Sequence, residues 1–186
     1  MEIRVAKTAG FCFGVKRAVD LTYGLLAEGH KAATLGPLIH NPQAVEDMQK
    51  KGALVADTLA DVPDGYEVVI RSHGVPRSVY DALEERGIPY HDATCPFVQK
   101  IQRIAERAEK EGAVLLVAGD RTHPEVQGIV GHTRGEVFVF ADLAELRAWK
   151  GPSDPQKPLF AVAQTTFQVT KWQESSEFLK KAYTNA

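Results

Sequence analysis

Two cysteines, three histidines, a glutamate and a threonine stand where chemistry can be done. Cys12 lies in Ala9-Gly10-Phe11-Cys12-Phe13-Gly14-Val15 and Cys95 in Asp92-Ala93-Thr94-Cys95-Pro96-Phe97-Val98, each between an extended segment and an amphipathic helix. A helix N-terminus favours thiolate over thiol, and the thiolate is the form that binds metal or attacks. Plain structural burial competes with this, because free cysteine is among the most buried residue types. His40, His73 and His123 occupy strand-to-helix corners, where an imidazole beside a helix N-terminus can hold a phosphate or diphosphate. Each of them alone could equally be a cap or a solvated loop residue. His30, His91 and His132 lack that setting and are read as having no role. Glu125 follows Pro124 in a first helical turn, where a carboxylate complements the helix dipole. In the company of His123 and Thr165 it could instead be a general acid or proton relay near a bound anion. Thr165 has its own plain reading, as a cap for the last helix.

Composition narrows the class. With 22 Lys+Arg against 24 Asp+Glu the 186-residue chain has a formal charge of -2, so it lacks the basic excess of a nucleic-acid or membrane-surface binder, and any anion site must be local. No apolar run approaches the ~20 residues that span a bilayer, and Met1-Glu2-Ile3-Arg4 lacks the apolar core of a signal peptide, so a cytoplasmic protein is expected. In a reducing compartment two distant cysteines point to metal or redox chemistry before a structural disulfide. The glycines around Cys12 do not form a dinucleotide fingerprint, no Walker pattern occurs, and the cysteines lack the close spacing of a zinc ribbon or thioredoxin motif.

The elements that must position these residues alternate. Strands are predicted over Ile3 to Ala6, Ala32 to Leu35, Glu67 to Ile70, Ala113 to Ala118, Glu136 to Phe140 and Leu159 to Ala163, with a β-type segment ending at Asp92. Helices are predicted from Val15 to Leu26, Pro42 to Lys51, Pro76 to Arg86, Val98 to Ala108, from Pro124, over Leu143 to Trp149, and after Thr166. Ala113 to Ala118 is apolar without alternation, as expected of a parallel strand covered on both faces. Repeating strand-helix units imply an α/β fold with small, mostly parallel sheets flanked by helices, whose ligands bind beyond the carboxyl ends of the strands. A soft boundary near residue 96 divides the chain into lobes 1–96, with Cys12, His40, His73 and Cys95, and 97–186, with His123, Glu125 and Thr165.

Six blocks carry a resemblance. The Cys12 block through Lys16-Arg17-Ala18, Gly36-Pro37-Leu38-Ile39-His40-Asn41-Pro42, Arg71-Ser72-His73-Gly74-Val75-Pro76, the Cys95 block, Gly119-Asp120 with His123-Pro124-Glu125-Val126, and Gln164-Thr165-Thr166 together resemble the 4-hydroxy-3-methylbut-2-enyl diphosphate reductase family. The resemblance implies three α/β lobes in a trefoil-like arrangement around a central 4Fe-4S cluster, one cysteine from each lobe. It implies that Cys12 and Cys95 are cluster ligands, that His40, His73 and His123 surround the substrate diphosphate, that Glu125 delivers a proton, and that Thr165 links it to the substrate alcohol. The implied activity is the iron-sulfur reductive dehydroxylation of 4-hydroxy-3-methylbut-2-enyl diphosphate to isopentenyl and dimethylallyl diphosphates. This is the last step of the methylerythritol phosphate route to isoprenoids, with electrons from a donor such as ferredoxin or flavodoxin.

The resemblance covers the first two lobes only. The third lobe, with the third cysteine and further diphosphate contacts, is expected to be missing, and a cluster on two thiolates is exposed and labile, so this chain by itself is expected to be inactive. Two other readings compete on the residues: a cluster-free module that binds a phosphorylated ligand through its histidines, and a mononuclear metal hydrolase with Cys and His ligands.

Overall fold

The computed structural model describes residues 3–7 and 9–183. In chain order its elements are α1 (Phe13–Ala27), β1 (Ala32–Leu35), α2 (Pro42–Lys50), β2 (Leu54–Ala56), a 3-10 turn (Leu59–Asp61), β3 (Glu67–Ile70), α3 (Arg77–Glu85), β4 (Tyr90–Asp92), α4 (Pro96–Lys110), β5 (Val114–Ala118), α5 (Pro124–Val130), β6 (Val137–Phe140), α6 (Leu143–Ala148), β7 (Leu159–Ala163) and α7 (Val169–Ala182). They form two compact units, Met1–Ser72 with Gly87–Cys95, and His73–Arg86 with Pro96–Ala186.

The first unit is built on a four-stranded parallel sheet in the order β2-β1-β3-β4. Helix α1 lays Ala18, Val19 and Leu25 on it, over Ala32, Val69 and Ala93, while Leu38, Ile39 and Met48 close the same core. Asn41 starts α2 by accepting a hydrogen bond from the Ala44 N–H at 3.0 Å, with Pro42 in the first turn where its missing N–H costs nothing.

The second unit carries a three-stranded parallel sheet in the order β6-β5-β7. Every residue of β5 is buried, as its unalternating sequence requires. Leu115 and Val117 pack with Ala105 and Ala108 of α4 and Val126 and Ile129 of α5, while Val114, Leu116 and Ala118 pack on the other face with Leu146 of α6 and Leu179 of α7.

Three expectations change. Ile3 to Ala6 is not a strand: Ile3 and Val5 are each 79% exposed, and apolar alternation makes a strand only where a neighbour completes the ladder. Strand β2, too short to show a period, is an addition. The division at residue 96 also misplaces 73–86, because that segment is tied into the second unit. There the Arg77 N–H donates to the Gly131 carbonyl at 3.1 Å, and His132 Nε2 lies 3.1 Å from the Val75 carbonyl oxygen. His73 therefore belongs to the second unit.

Candidate active site

Both sheets reverse their strand order once. In the first the chain passes from β1 to β2 on one side and then to β3 on the other, and in the second from β5 to β6 and then to β7. The crevices between the carboxyl ends of β1 and β3, and of β5 and β7, are thus the switch points where α/β sheets bind ligands. Gly36 to His40 follows β1 and Arg71-Ser72 follows β3; Gly119 to His123 follows β5 and Gln164-Thr165 follows β7. Every sequence-selected residue except the cysteines and His73 falls on one of these four loops or, for Glu125, on the helix that follows.

At the second switch point the loops are locked together. Gly119 leaves no room for a side chain, since a Cβ there would sit 2.7 Å from Val126 Cγ2 and 3.0 Å from Gln164 Cβ. Gln164, buried, accepts from the Asp120 N–H through Oε1 at 3.1 Å and donates to Thr166 Oγ1 at 2.9 Å. Asp120 accepts from the Thr122 N–H and hydroxyl at 2.8 and 2.7 Å, and the Thr122 hydroxyl, then its N–H, hold the Asp120 carboxyl below its ordinary range. His123 is the N-cap of α5, with Nδ1 accepting from the Glu125 N–H at 3.1 Å. That assignment puts the proton of a neutral ring on Nε2 and makes that nitrogen a donor. The rings of His73 and His123 meet edge to face with centroids 5.3 Å apart.

Glu125 is only 2% exposed and is held at both oxygens by one residue. The Thr165 N–H donates to Oε1 at 2.6 Å and the Thr165 hydroxyl to Oε2 at 2.7 Å. A carboxylate that merely complements a helix dipole would point to solvent, and this one does not. Thr165 is not the cap of α7 either, as Gln168 holds that position.

In the first unit Cys12 is the N-cap residue of α1, exposed, with no side-chain cap bond, and Cys95 is half-buried directly before α4. A Cβ on Gly14 would lie 2.7 Å from Cys95 Sγ and 2.9 Å from its Cβ, so glycine is what lets the first turn of α1 rest on Cys95. Arg17, one turn on, donates to the carbonyls of Thr94 and Asp92 at 3.0 and 3.1 Å, and the Cys95 N–H donates to the Ser72 carbonyl at 2.9 Å. Both thiols thus sit at one end of α1, in one unit and not in two. This agrees with the division that put both in lobe 1–96 and not with one cysteine from each lobe, because α1 packs on the sheet whose last strand, β4, leads into Cys95.

Residues read as having no role are engaged. Glu67 at the start of β3 takes His30 Nδ1 on one oxygen at 2.6 Å and His91 Nε2 on the other at 2.5 Å. His132 is buried, with Nδ1 3.0 Å from Glu106 Oε1 as well as its contact to Val75. These pairings join residues 24 to 57 positions apart in the chain, and neither motif nor period announces them.

The LytB protein family model matches residues 3–186. The chain belongs to the LytB family. It is 38% identical over 188 residues to the 4-hydroxy-3-methylbut-2-enyl diphosphate reductase of Caldanaerobacter subterraneus subsp. tengcongensis, across 97% of this chain and 62% of that protein. The reductase of Syntrophotalea carbinolica is 42% identical over 178 residues, across 95% and 62%. Among solved structures, the E-1-hydroxy-2-methyl-but-2-enyl-4-diphosphate reductase of Plasmodium falciparum superposes with a TM-score of 0.87 at 25% identity, covering 96% of this chain and 56% of that one. A second solved structure, described as (E)-4-hydroxy-3-methyl-but-2-enyl diphosphate reductase, the terminal enzyme of the non-mevalonate pathway, gives 0.82 at 35% identity, covering 97% and 64%. The chain thus spans about 62% of the length of these curated relatives. No helix among the described residues is long and apolar enough to cross a membrane.

The donor set fits an iron-sulfur cluster in part. Two free thiols, one open to solvent at a helix N-terminus and the other against a glycine that clears space for it, suit two cluster ligands. The sequence holds no other cysteine, so these two thiolates are all that this chain offers a cluster.

Proposed function

We propose that this chain provides two lobes of a 4-hydroxy-3-methylbut-2-enyl diphosphate reductase that acts in the cytoplasm, takes electrons from a ferredoxin or flavodoxin, and needs a third lobe to complete its site. The observation that carries the reading is Glu125, buried and gripped at both oxygens by Thr165 beside His123. Releasing a hydroxyl as water requires a proton on the leaving oxygen, and a carboxyl group fixed in one orientation delivers a proton to one place. The Thr165 hydroxyl, already bonded to Glu125 Oε2, is the group through which that proton reaches the substrate alcohol. His123, with Nε2 as its donor, and His73 beside it present donors to the diphosphate, and the resemblance gives His40 the same role. Cys12 and Cys95 would hold the cluster from this chain's side, and the cluster, when bound, would relay the donor's two electrons one at a time. Membership of the LytB family and the activity that the relatives' names carry support the reading.

The test is to fuse the chain to the part of the Caldanaerobacter reductase that it does not cover, load the protein anaerobically, and follow substrate consumption with reduced donor. Turnover that disappears in a Glu125→Gln fusion supports the proposal. A brown, iron- and sulfide-loaded fusion without turnover refutes it.

A further inference from the structure

Arg71 follows β3 and reaches across the first switch point. Its Nη1 lies 3.0 Å from where a Cβ on Gly36, the residue after β1, would stand, so the guanidinium rests on the open backbone of the adjacent strand end. The residue is half-buried, and its Nε is buried with no hydrogen-bond partner. No ion pair or hydrogen bond of Arg71 is found among the described residues. The contrast with Arg17 at the same sheet edge is informative, because Arg17 spends its donors on two backbone carbonyls.

Burying the Nε of a guanidinium with neither a hydrogen-bond partner nor a counter-charge opposes folding. Desolvation holds the Arg71 group below its ordinary value, yet an arginine in a protein remains charged at neutral pH. A residue that costs stability at a ligand-binding edge of a sheet is the pattern of a group kept for binding. Its planar donor fork matches the oxygens of a phosphate or diphosphate.

We propose that Arg71 supplies the fixed positive charge of an anion site at the switch point of the first sheet, and that the anion is a phosphate or diphosphate group. The proposal rests on the diphosphate reading above for the choice of anion.

The experiment titrates this chain with inorganic diphosphate by calorimetry and by thermal melting, as wild type, Arg71→Met, Arg71→Lys and His73→Ala. Without ligand, Arg71→Met melts at or above the wild type, because an unpaired charge has been replaced by a flexible apolar chain of similar length. With diphosphate, its affinity is weaker by about ten- to a hundredfold and a given ligand concentration raises its melting point correspondingly less. Arg71→Lys, which keeps the charge and loses the fork, falls between. An Arg71→Met chain that binds diphosphate as the wild type does overturns the proposal, and so does a wild type that binds none. Full binding by Arg71→Met with lost binding by His73→Ala removes only Arg71 and leaves the diphosphate reading standing; the reverse removes His73 and keeps Arg71. Should Arg71→Met fail to fold, Arg71→Gln carries the same comparison.

Discussion

Replacing Thr165 with valine and Glu125 with glutamine separates positioning from proton delivery. Glu125 is buried with one donor on each oxygen, the Thr165 N–H at 2.6 Å and the Thr165 hydroxyl at 2.7 Å. Thr165→Val keeps the volume and the N–H but strips Oε2 of its donor. A buried oxygen left unsatisfied costs about 1 to 3 kcal/mol, and near this chain length each kcal/mol moves the midpoint by roughly 2 to 4 °C, so a fall of about 2 to 12 °C follows. In Glu125→Gln the amide oxygen still accepts from the Thr165 N–H, and the amide nitrogen donates to the hydroxyl once that hydroxyl rotates. The hydrogen-bond count is preserved, and the expected loss is about 1 kcal/mol or less. Turnover behaves in the opposite way: glutamine has no acidic proton, and removing a general acid lowers turnover by roughly a hundredfold or more. Calorimetric melting of this chain and rate measurements on a three-lobe fusion read the two effects apart. Thr165→Val melting with the wild type would refute the buried-carboxylate argument. A fully active glutamine variant would return Glu125 to the role of a helix-dipole partner, worth about 0.3 to 1 kcal/mol.

Two further predictions concern the first unit. Gly14→Ala places a methyl 2.7 Å from Cys95 Sγ, and Cys95 cannot retreat freely because its N–H is bound to Ser72. The first turn of α1 must lift, at about 1 to 3 kcal/mol, and Cys95 becomes faster to alkylate with iodoacetamide; unchanged melting and labelling would contradict the contact. The His30, Glu67 and His91 cluster gives a pH signature. Glu67 is lowered by its bonds to His91 and then His30, so its contribution is present above the ordinary glutamate value near 4.3 and lost as pH falls through the lowered one. His30 is raised by Glu67, so its contribution is full below about 6.5 and lost as pH climbs through the raised value. The first unit should thus be most stable between those limits and soften modestly above neutrality. Glu67→Gln should flatten that alkaline slope, and a slope that persists would assign the pH dependence elsewhere.

What could be read in the sequence was whatever local chemistry decides. Asn41-Pro42 and His123-Pro124 announce helix starts, and the unbroken apolar run of β5 announces burial on two faces. Ile3 to Ala6 misled because alternation is necessary for a strand but its partner is not written beside it. The same holds for the segment 73–86, which sequence order assigns to the first sheet and which bonds from Arg77 and His132 assign to the second unit. Thr165 illustrates the limit most clearly. Its position before a helix suits a cap, and only the fold shows its hydroxyl turned to Glu125, 40 residues away. Arg71 differs again, since its significance lies in a partner missing among the described residues, which no string of residues can display. A guanidinium in a chain this evenly charged reads as one more surface cation until the sheet order shows it at the crevice where such folds bind their ligands.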